Sequence, residues 1–390
     1  MTPPPVLLAV DGDGLLHRAF HGIGDSSETD GDGRPVGALR GLVTFVAAAA
    51  ARLRPDAVLV GFDSRVDPVR KALFPQYKGH RPPRPPDLQD QLDAAPDLLA
   101  AAGIAVARVP GYEGDDVLAS AARLAGAAGW RCVVLTSDRD LFALLDGSTS
   151  VLRLMGDGID GAQLLDAAAL QAGYGVDPDQ YRDYAALRGD TSDNLPGVRG
   201  IGSKTAARLL QAFGSADAAC AAIDAGRGHE VAAVIGQRCT DRLAHTDSRR
   251  TLDRNRQLMS LHRDLALPGL ESMRLPVDPA VLRTALRARS ITLGPSLWAL
   301  VGAEPPPWTP NGFASAPKVL PGSLPRPWAE RVVPSWEELR AADVARSRDA
   351  AQRAAAVAAS AAAAAVRAVS TQSRAGRRTQ IVLEGQLSLF

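Results

Sequence analysis

Nine acidic residues lie in five short clusters across the first half of this 390-residue chain. They are Asp11, Asp63, Glu113, Asp115, Asp116, Asp138, Asp140, Asp190 and Asp193. Three clusters directly follow apolar runs, at residues 6–10, 57–62 and 132–137, that are typical of strands in a covered parallel sheet. Ligands bind outside the carboxyl ends of such strands, so we expect these acids to share one crevice. Negative charge crowded in this way needs a cation.

The spacing within the clusters indicates shared metal ions. Glu113 and Asp116 lie three residues apart after a glycine turn, which places both on one helix face near its N-terminus. Carboxylate oxygens, with no Cys or His at metal spacing, favour Mg²⁺ or Mn²⁺ over zinc. Two ions about 4 Å apart would activate a water and neutralise the leaving oxygen of a phosphodiester. One acidic pair alone is more often a solvated surface or a helix cap, but five clusters together indicate a metal centre.

A glycine-rich segment at residues 197–206 predicts a hairpin followed directly by a helix. The free N–H groups of that helix can bind phosphate oxygens without reading base edges, and Lys204 adds a positive charge. Alone, such a turn between helices is more often a helix cap. The predicted DNA contacts are Gly197, Val198, Gly200, Ile201, Gly202, Ser203, Lys204 and Thr205.

A long loop at residues 64–90 is basic and rich in proline. Connections of this length usually have a function, although a solvated loop is the plain alternative. Its cations are interleaved with aromatic and imidazole rings, which suits a nucleic-acid single strand. The DNA contacts predicted in this loop are Arg70, Tyr77, Lys78 and Arg81. Arg18, which lies outside the loop and follows the first predicted strand, is a further predicted DNA contact. Lys78 and Arg81 are also expected to assist catalysis through positioning and charge.

Composition limits the class of protein. The hydrophobic content of 46% is enough for a real core, and the net charge is only +1. Residues 304–390 hold 11 Lys/Arg against 7 Asp/Glu, which leaves 33 against 36 in residues 1–303. A nucleic-acid partner must therefore be held by a local basic patch and by metal. Three cysteines without paired spacing, and no leader or long apolar span, predict a cytoplasmic monomer with no membrane partner.

Strand patterns alternate with helical patterns in the first part of the chain, which predicts an α/β fold with a mostly parallel sheet flanked by helices. We place an α/β catalytic domain at residues 1–162, with the loop at about 64–90 inside it. A helical DNA-binding domain follows at 163–303. Residues 304–385 are rich in Pro and Ala and are expected to form a flexible linker before a short terminal peptide, 386–390.

Several motifs carry a family resemblance. In order they are Val10-Asp11-Gly12, Phe62-Asp63, Tyr77-Lys78 with Arg81, Gly111-Tyr112-Glu113 through Asp115-Asp116, Thr136-Ser137-Asp138-Arg139-Asp140-Leu141, and Gly189-Asp190 through Ser203-Lys204. Over roughly residues 5–303 the chain resembles the 5′ nuclease family, which includes the 5′→3′ exonuclease domain of bacterial DNA polymerase I and the flap endonucleases.

The resemblance implies roles for these residues. A first metal position would be surrounded by Asp11, Asp63, Glu113, Asp115, Asp116 and Asp138, with Asp140, Asp190 and Asp193 toward a second. The loop at 64–90 would form a helical arch that admits a free 5′ end. The glycine hairpin would be the family's helix-hairpin-helix, which often holds K⁺. His17 departs from the tyrosine that relatives often carry there, and the many prolines predict an arch that is stiffer or only partly helical.

These features together predict a stand-alone, Mg²⁺-dependent 5′→3′ exonuclease and flap endonuclease. Its substrates would be nicked, branched or RNA-primed DNA in replication and repair. A dehalogenase-like phosphatase is the first alternative, because strand-Asp11-Gly12-Asp13-Gly14 resembles that family's nucleophile and acid pair. It would need Asp13 for activity and no arch. The second alternative, a non-catalytic DNA-junction binding protein, would need missing metal acids, and none is missing.

The last five residues predict a protein partner. They are Gln386, Leu387, Ser388, Leu389 and Phe390. They resemble the peptide with which bacterial replication proteins bind the sliding clamp, where a glutamine and a terminal Leu-Phe pair fill a hydrophobic pocket. An apolar set at a free chain end would otherwise be an unexplained exposed patch.

Overall fold

A computed structural model describes residues 3–22, 28–156, 158–293 and 295–304. The strands are β1 (Val6–Asp11), β2 (Ala57–Phe62), β3 (Ala105–Arg108), β4 (Arg131–Thr136), β5 (Thr149–Met155), β6 (Gly158–Leu165), β7 (Gly189–Asp190) and β8 (Leu195–Pro196). The helices are α1 (Gly12–Gly22), α2 (Gly37–Leu53), α3 (Val69–Leu73), α4 (Pro86–Ala101), α5 (Gly114–Ala127), α6 (Ala167–Tyr174), α7 (Tyr181–Arg188), α8 (Ser203–Phe213), α9 (Ala216–Ala222), α10 (Gly228–Ile235), α11 (Gln237–Ala244), α12 (Thr246–Leu258) and α13 (Pro279–Arg287). The linker after its first residue and the peptide at 386–390 lie outside the described residues.

The α/β prediction is confirmed by a six-stranded sheet in the order β3-β2-β1-β4-β5-β6. All neighbouring strands are parallel except β5 and β6. Every residue of β1 and β2 is buried, as expected for unbroken apolar runs covered by helices on both faces. The chain leaves β1 toward β2 on one side and returns to β4 on the other. A crevice therefore opens at the carboxyl ends of β1 and β4, where such sheets bind ligands.

The helical part is attached to this crevice by a short ribbon. Strands β7 and β8 pair antiparallel, and the glycine-rich segment continues from β8 into α8. Gly189 has a φ of 81°, and a Cβ there would lie 2.2 Å from the Gly197 nitrogen. Only glycine allows this close approach, which brings the glycine-rich segment against the loop that carries Asp190 and Asp193.

The arch differs from a fully helical one. Between β2 and α4 the only regular element is the five-residue helix α3, and turns occupy residues 75–80. Prolines at 75, 82 and 83 remove backbone donors and oppose a continuous helix, so the partly helical alternative is the one observed.

Within the described residues, no helix combines the length and apolarity that a bilayer span requires.

Candidate metal centre

The carboxylate of Asp11 lies at the end of β1 and is held from two sides. Its Oδ1 accepts the Gly14 N–H at 2.8 Å, and its Oδ2 accepts the Thr136 hydroxyl at 2.8 Å. The same hydroxyl oxygen accepts the Asp138 N–H at 2.9 Å, which links the ends of β1 and β4. A Cβ on Gly14 would lie 2.2 Å from Asp11 Oδ2, so only glycine fits there. Burial, and then the charges of Asp138 and Asp63, raise the pKa of Asp11 to about 7.

A second group of acids lies around Asp140. Burial, followed by the charges of Asp138, Asp190 and Asp193, raises the pKa of Asp140 to about 8. Its Oδ1 is buried and has no hydrogen-bond partner in the structure. Burying a carboxylate oxygen without a hydrogen-bond donor costs free energy unless a cation binds to it.

The N-terminus of α5 contributes the acids of the third cluster. Burial, and next the charges of Asp138 and Asp11, raise the pKa of Asp115 well above its usual range. Glu113 caps the helix and accepts hydrogen bonds from Tyr77 Oη at 3.0 Å and Lys78 Nζ at 2.6 Å.

Asp63 and Asp13 lie where β2 ends. Asp63 Oδ1 accepts the Gly114 N–H at 2.8 Å, which joins this acid to the start of α5. Asp13 Oδ2 accepts the Asp63 N–H at 2.8 Å, and its Oδ1 lies 3.0 Å from Arg65 Nη1. Arg65 also binds Asp93 at 2.6 Å, so one guanidinium ties together the two ends of the arch. These contacts give Asp13 a structural place and do not favour the phosphatase alternative, which requires a free Asp13.

Asp116 and Arg70 form a buried ion pair, and their predicted roles need correction. Arg70 donates to both oxygens of Asp116 at 2.6 and 2.7 Å and to the carbonyls of Leu258 and Ser260 at 2.7 and 2.8 Å. Asp116 also accepts the N–H groups of Glu113 and His262, and it is 0% exposed. Burial opposes ionisation, but the hydrogen bonds from Arg70 lower the pKa of Asp116. Asp116 has no free oxygen for a metal, and Arg70, 4% exposed, does not face DNA.

The arch places positive charge directly on the acids. Lys78 Nζ pairs with Glu113, and Arg81 Nη2 lies 2.7 Å from Asp193 Oδ1. The Lys78 N–H also donates to the Asp193 carbonyl at 3.0 Å. Burial works against the charged amine, yet the neighbouring acids raise the pKa of Lys78, so it stays protonated. Tyr77 is 3% exposed and bonded to Glu113, which corrects its prediction as a ring that stacks on DNA.

The glycine-rich segment borders the same cavity as the acids. A cavity of about 620 Å³ is lined by Asp11, Asp138 and Asp190 and by Ser203, the first residue of α8. Within the described residues, no hydrogen bond occupies the N–H groups of Ser203 and Lys204. Other predicted contacts need correction. The amides of Val198, Ile201 and Thr205 donate to the carbonyls of Leu187, Val198 and Gly202, and the side chains of Val198 and Ile201 are buried.

Arg18 lies in a neighbouring cavity of about 830 Å³ that also contains His17 and His21. This cavity shares Gly14 and Ser137 with the acidic one. Burial, and then the charge of Arg84, lowers the pKa of His17 to about 4, so its ring is neutral at physiological pH.

The donor set fits divalent metal ions. The orphaned Asp140 oxygen and the raised pKa values around Asp138 mark a group of crowded carboxyls that Lys78 and Arg188 offset only in part. No three acidic, imidazole or thiol groups among the described residues yet converge to coordination distance.

The buried Arg70–Asp116 pair predicts a stability defect. We expect Arg70→Met to lower the free energy of unfolding by about 3–5 kcal/mol, because Asp116 and Glu113 lose a buried partner. Denaturant titration measures this loss. Combining Arg70→Met with Asp116→Asn should recover part of it, whereas Arg70→Lys should not, because lysine cannot donate bidentately. If Arg70→Met kept full stability and instead lost DNA binding in a salt-dependent way, Arg70 would be a DNA contact, as the sequence predicts.

Comparisons with known proteins identify the family of this chain. The model of the 5′-3′ exonuclease N-terminal resolvase-like domain matches residues 6–175, and that of the 5′-3′ exonuclease C-terminal SAM fold matches residues 176–279. A 5′-3′ exonuclease of Streptomyces coelicolor is 40% identical over 231 residues, which are 56% of this chain and 75% of that protein. The thermostable DNA polymerase I of Thermus aquaticus is 42% identical over 216 residues, 55% of this chain but only 25% of the polymerase.

The fold has a solved counterpart in the T5 5′-exonuclease, from a structure described as carrying divalent zinc ions. The two match with a TM-score of 0.53 at 21% identity, over 73% of this chain and 99% of that one. The chain spans only about a quarter of several polymerases that it matches. The two family models together cover most of the described residues, and the chain belongs to the 5′-3′ exonuclease family.

Proposed function

We propose that this chain is a 5′→3′ exonuclease and flap endonuclease that hydrolyses phosphodiesters at the 5′ ends of nicked, flapped or RNA-primed DNA. It would act as a cytoplasmic monomer in replication and repair and use two Mg²⁺ ions, for which Mn²⁺ can substitute. One observation carries the proposal: acids from β1, the β4 end and β7 line one cavity with the N-terminus of α8. That cavity combines a place for cations with backbone donors for phosphate.

Asp11, Asp115 and Asp138 would hold one ion, with Asp63 and Glu113 beside them. Asp140 and Asp190 would hold the second, with Asp193 nearby. Bound Mg²⁺ supplies an activated water and charge stabilisation for the leaving oxygen. The chain's own contribution is to hold these carboxylates on rigid strand and helix ends, so that little reorganisation is needed during the reaction.

Lys78 and Arg81 would change partners when substrate and metal bind. In the structure they neutralise Glu113 and Asp193. With divalent ions held by the acids, Lys78 and Arg81 would be available to contact the scissile phosphate. The arch would then position the substrate and stabilise developing charge.

The duplex would be held by α8 and the glycine-rich segment. The free amides of Ser203 and Lys204 and the Lys204 ammonium suit phosphate oxygens. K⁺ at the glycine-rich segment remains part of the proposal, as the family resemblance implies. Arg18 and the neutral ring of His17 line the adjoining cavity and suit the terminal nucleotide.

Loss of Asp138 tests the reaction. We expect Asp138→Ala to remove most Mg²⁺-dependent cleavage of an end-labelled flap, because several kcal/mol of charge stabilisation are lost. Binding of the same flap in Ca²⁺ should change little, since α8 grips the duplex. Product sizing on a gel gives the rate.

The matched control is Asp13→Asn. A phosphatase would lose its essential acid in this variant. A nuclease should retain metal-dependent cleavage, at a rate lowered only because Asp13 helps to position Asp63. Near-normal turnover of Asp138→Ala together with an inactive Asp13→Asn would reverse the assignment.

Lys204 tests the duplex grip. We expect Lys204→Ala to weaken binding to all duplex sequences equally and to make the logarithmic salt dependence shallower by about one unit. Fluorescence anisotropy over a salt series measures both. A loss confined to particular sequences would show that the side chain reads bases and would contradict the proposed grip.

Recruitment by a sliding clamp is proposed from the sequence at 386–390. A tether at residues 304–385 would let the peptide bind the clamp while the nuclease searches nearby DNA, which raises the local concentration. The peptide is short and has few anchors, so its expected affinity is in the micromolar range.

Deleting residues 386–390 should abolish clamp binding and clamp-stimulated cleavage and leave cleavage of free flaps unchanged. Calorimetric titration with a bacterial clamp measures the first effect. Equal clamp affinity for the full-length and truncated chains would exclude this motif.

A further inference from the structure

A basic groove lies against the base of the arch, outside the metal centre. Its cavity of about 550 Å³ is bounded by α7, by α12 and by Ser260, just beyond α12. Arg182 lies on the α7 side, and Arg250 and Arg254 lie on the α12 side. None of these three arginines was singled out from the sequence.

Arg254 is fixed in place within the described structure. Its guanidinium stacks on the Phe74 ring at 4.5 Å, and its Nη2 and Nε lie 3.0 and 3.3 Å from Asn255 Oδ1. Asn255 is fully buried and donates to the carbonyls of Ala186 and Pro196, both at 3.0 Å. A cation held by stacking and by a buried amide loses little entropy when a ligand arrives.

The charge of this groove is poorly neutralised. No ion pair within the described part of the chain involves Arg254 or Arg182, and Arg250 meets only an exposed aspartate at 3.5 Å, which is worth little. Arg256 differs from these three arginines, because it donates to Asp183 at 2.7 and 2.9 Å and its charge is therefore already neutralised within the fold. Three guanidinium groups therefore remain for an anionic ligand.

The groove is joined to the substrate machinery on two sides. The Ser260 carbonyl on its wall accepts Arg70 from α3, and Phe74 directly follows α3, so the wall and the arch base form one packed unit. Pro196, held by Asn255, ends β8 and leads into the glycine-rich segment. A nucleic-acid strand at the arch base would thus meet this groove next.

We propose that Arg254, together with Arg182 and Arg250, binds the phosphate backbone of the single-stranded 5′ arm of a branched DNA. The proposal rests on the proposed function and adds a strand-binding site to it. Guanidinium groups match phosphate oxygens in geometry and charge. The Phe74 ring beside the groove is covered by Arg254 and is not free to stack on a base, so we expect a contact to the backbone that is independent of base sequence.

The test compares two DNAs that differ only in the arm: a nicked duplex, and the same duplex with a 20-nucleotide oligo-dT 5′ flap. Full-length protein is titrated by fluorescence anisotropy in Ca²⁺. The variant Arg182→Ala/Arg250→Ala should bind the flapped DNA about tenfold more weakly, with a salt slope shallower by about 1.4 units, as two lost single-strand phosphate contacts require. Its affinity for the nicked duplex should stay unchanged.

The control variant Arg283→Ala/Arg287→Ala removes the same charge from α13, outside the groove, and should bind both DNAs normally. Unchanged binding of the flapped DNA by the groove variant would overturn the proposal. Equal losses on both DNAs, or the same loss in the control, would also overturn it, because they indicate a general charge effect. Failure of the wild type to cleave any substrate would instead refute the proposed function and leave the binding comparison valid.

Discussion

The burial of several carboxylates close to Asp138 is the constraint on which the rest of this structure depends. Burial, and then the charge of Asp138, raise the pKa values of Asp11, Asp115 and Asp140, so Asp138 is common to the surroundings of all three. A fold does not retain such a cluster for stability, because each buried charge costs free energy unless it is paired. The sheet holds these acids at its strand ends, and cations must come from outside the sheet.

The arch answers part of that demand. The arch brings Lys78 and Arg81 onto Glu113 and Asp193, which neutralises the edge of the cluster. Its first residues are tied by the half-buried pair of Arg65 with Asp13 and by the buried pair of Arg70 with Asp116. These two ion pairs fix the start of the arch, ahead of the turns at residues 75–80.

The sequence predicts the strands and the acids at their ends because unbroken apolar runs and a following aspartate have one simple outcome in a parallel sheet. The sequence does not show that Asp115 belongs to the proposed metal centre whereas Asp116 has a structural role. Three-residue spacing after a glycine turn describes a pair of metal ligands and a capping box equally well, and Asp116 forms the capping box. The sequence predicts DNA contacts for Arg70 and Tyr77 because composition reports charge and rings but not the direction of a side chain. Arg254 escaped notice because its partner Phe74 is 180 residues away in the chain.

The most direct test of a metal centre is to locate the ions. Crystals grown with Mn²⁺ and measured at a wavelength where manganese scatters anomalously should show one peak among Asp11, Asp115 and Asp138 and a second beside Asp140 and Asp190. Asp116 should remain bound to Arg70 in that structure. Peaks elsewhere would contradict the proposed metal ligands. An ion coordinated by Asp116, with Arg70 displaced, would contradict the structural role of the Arg70–Asp116 pair.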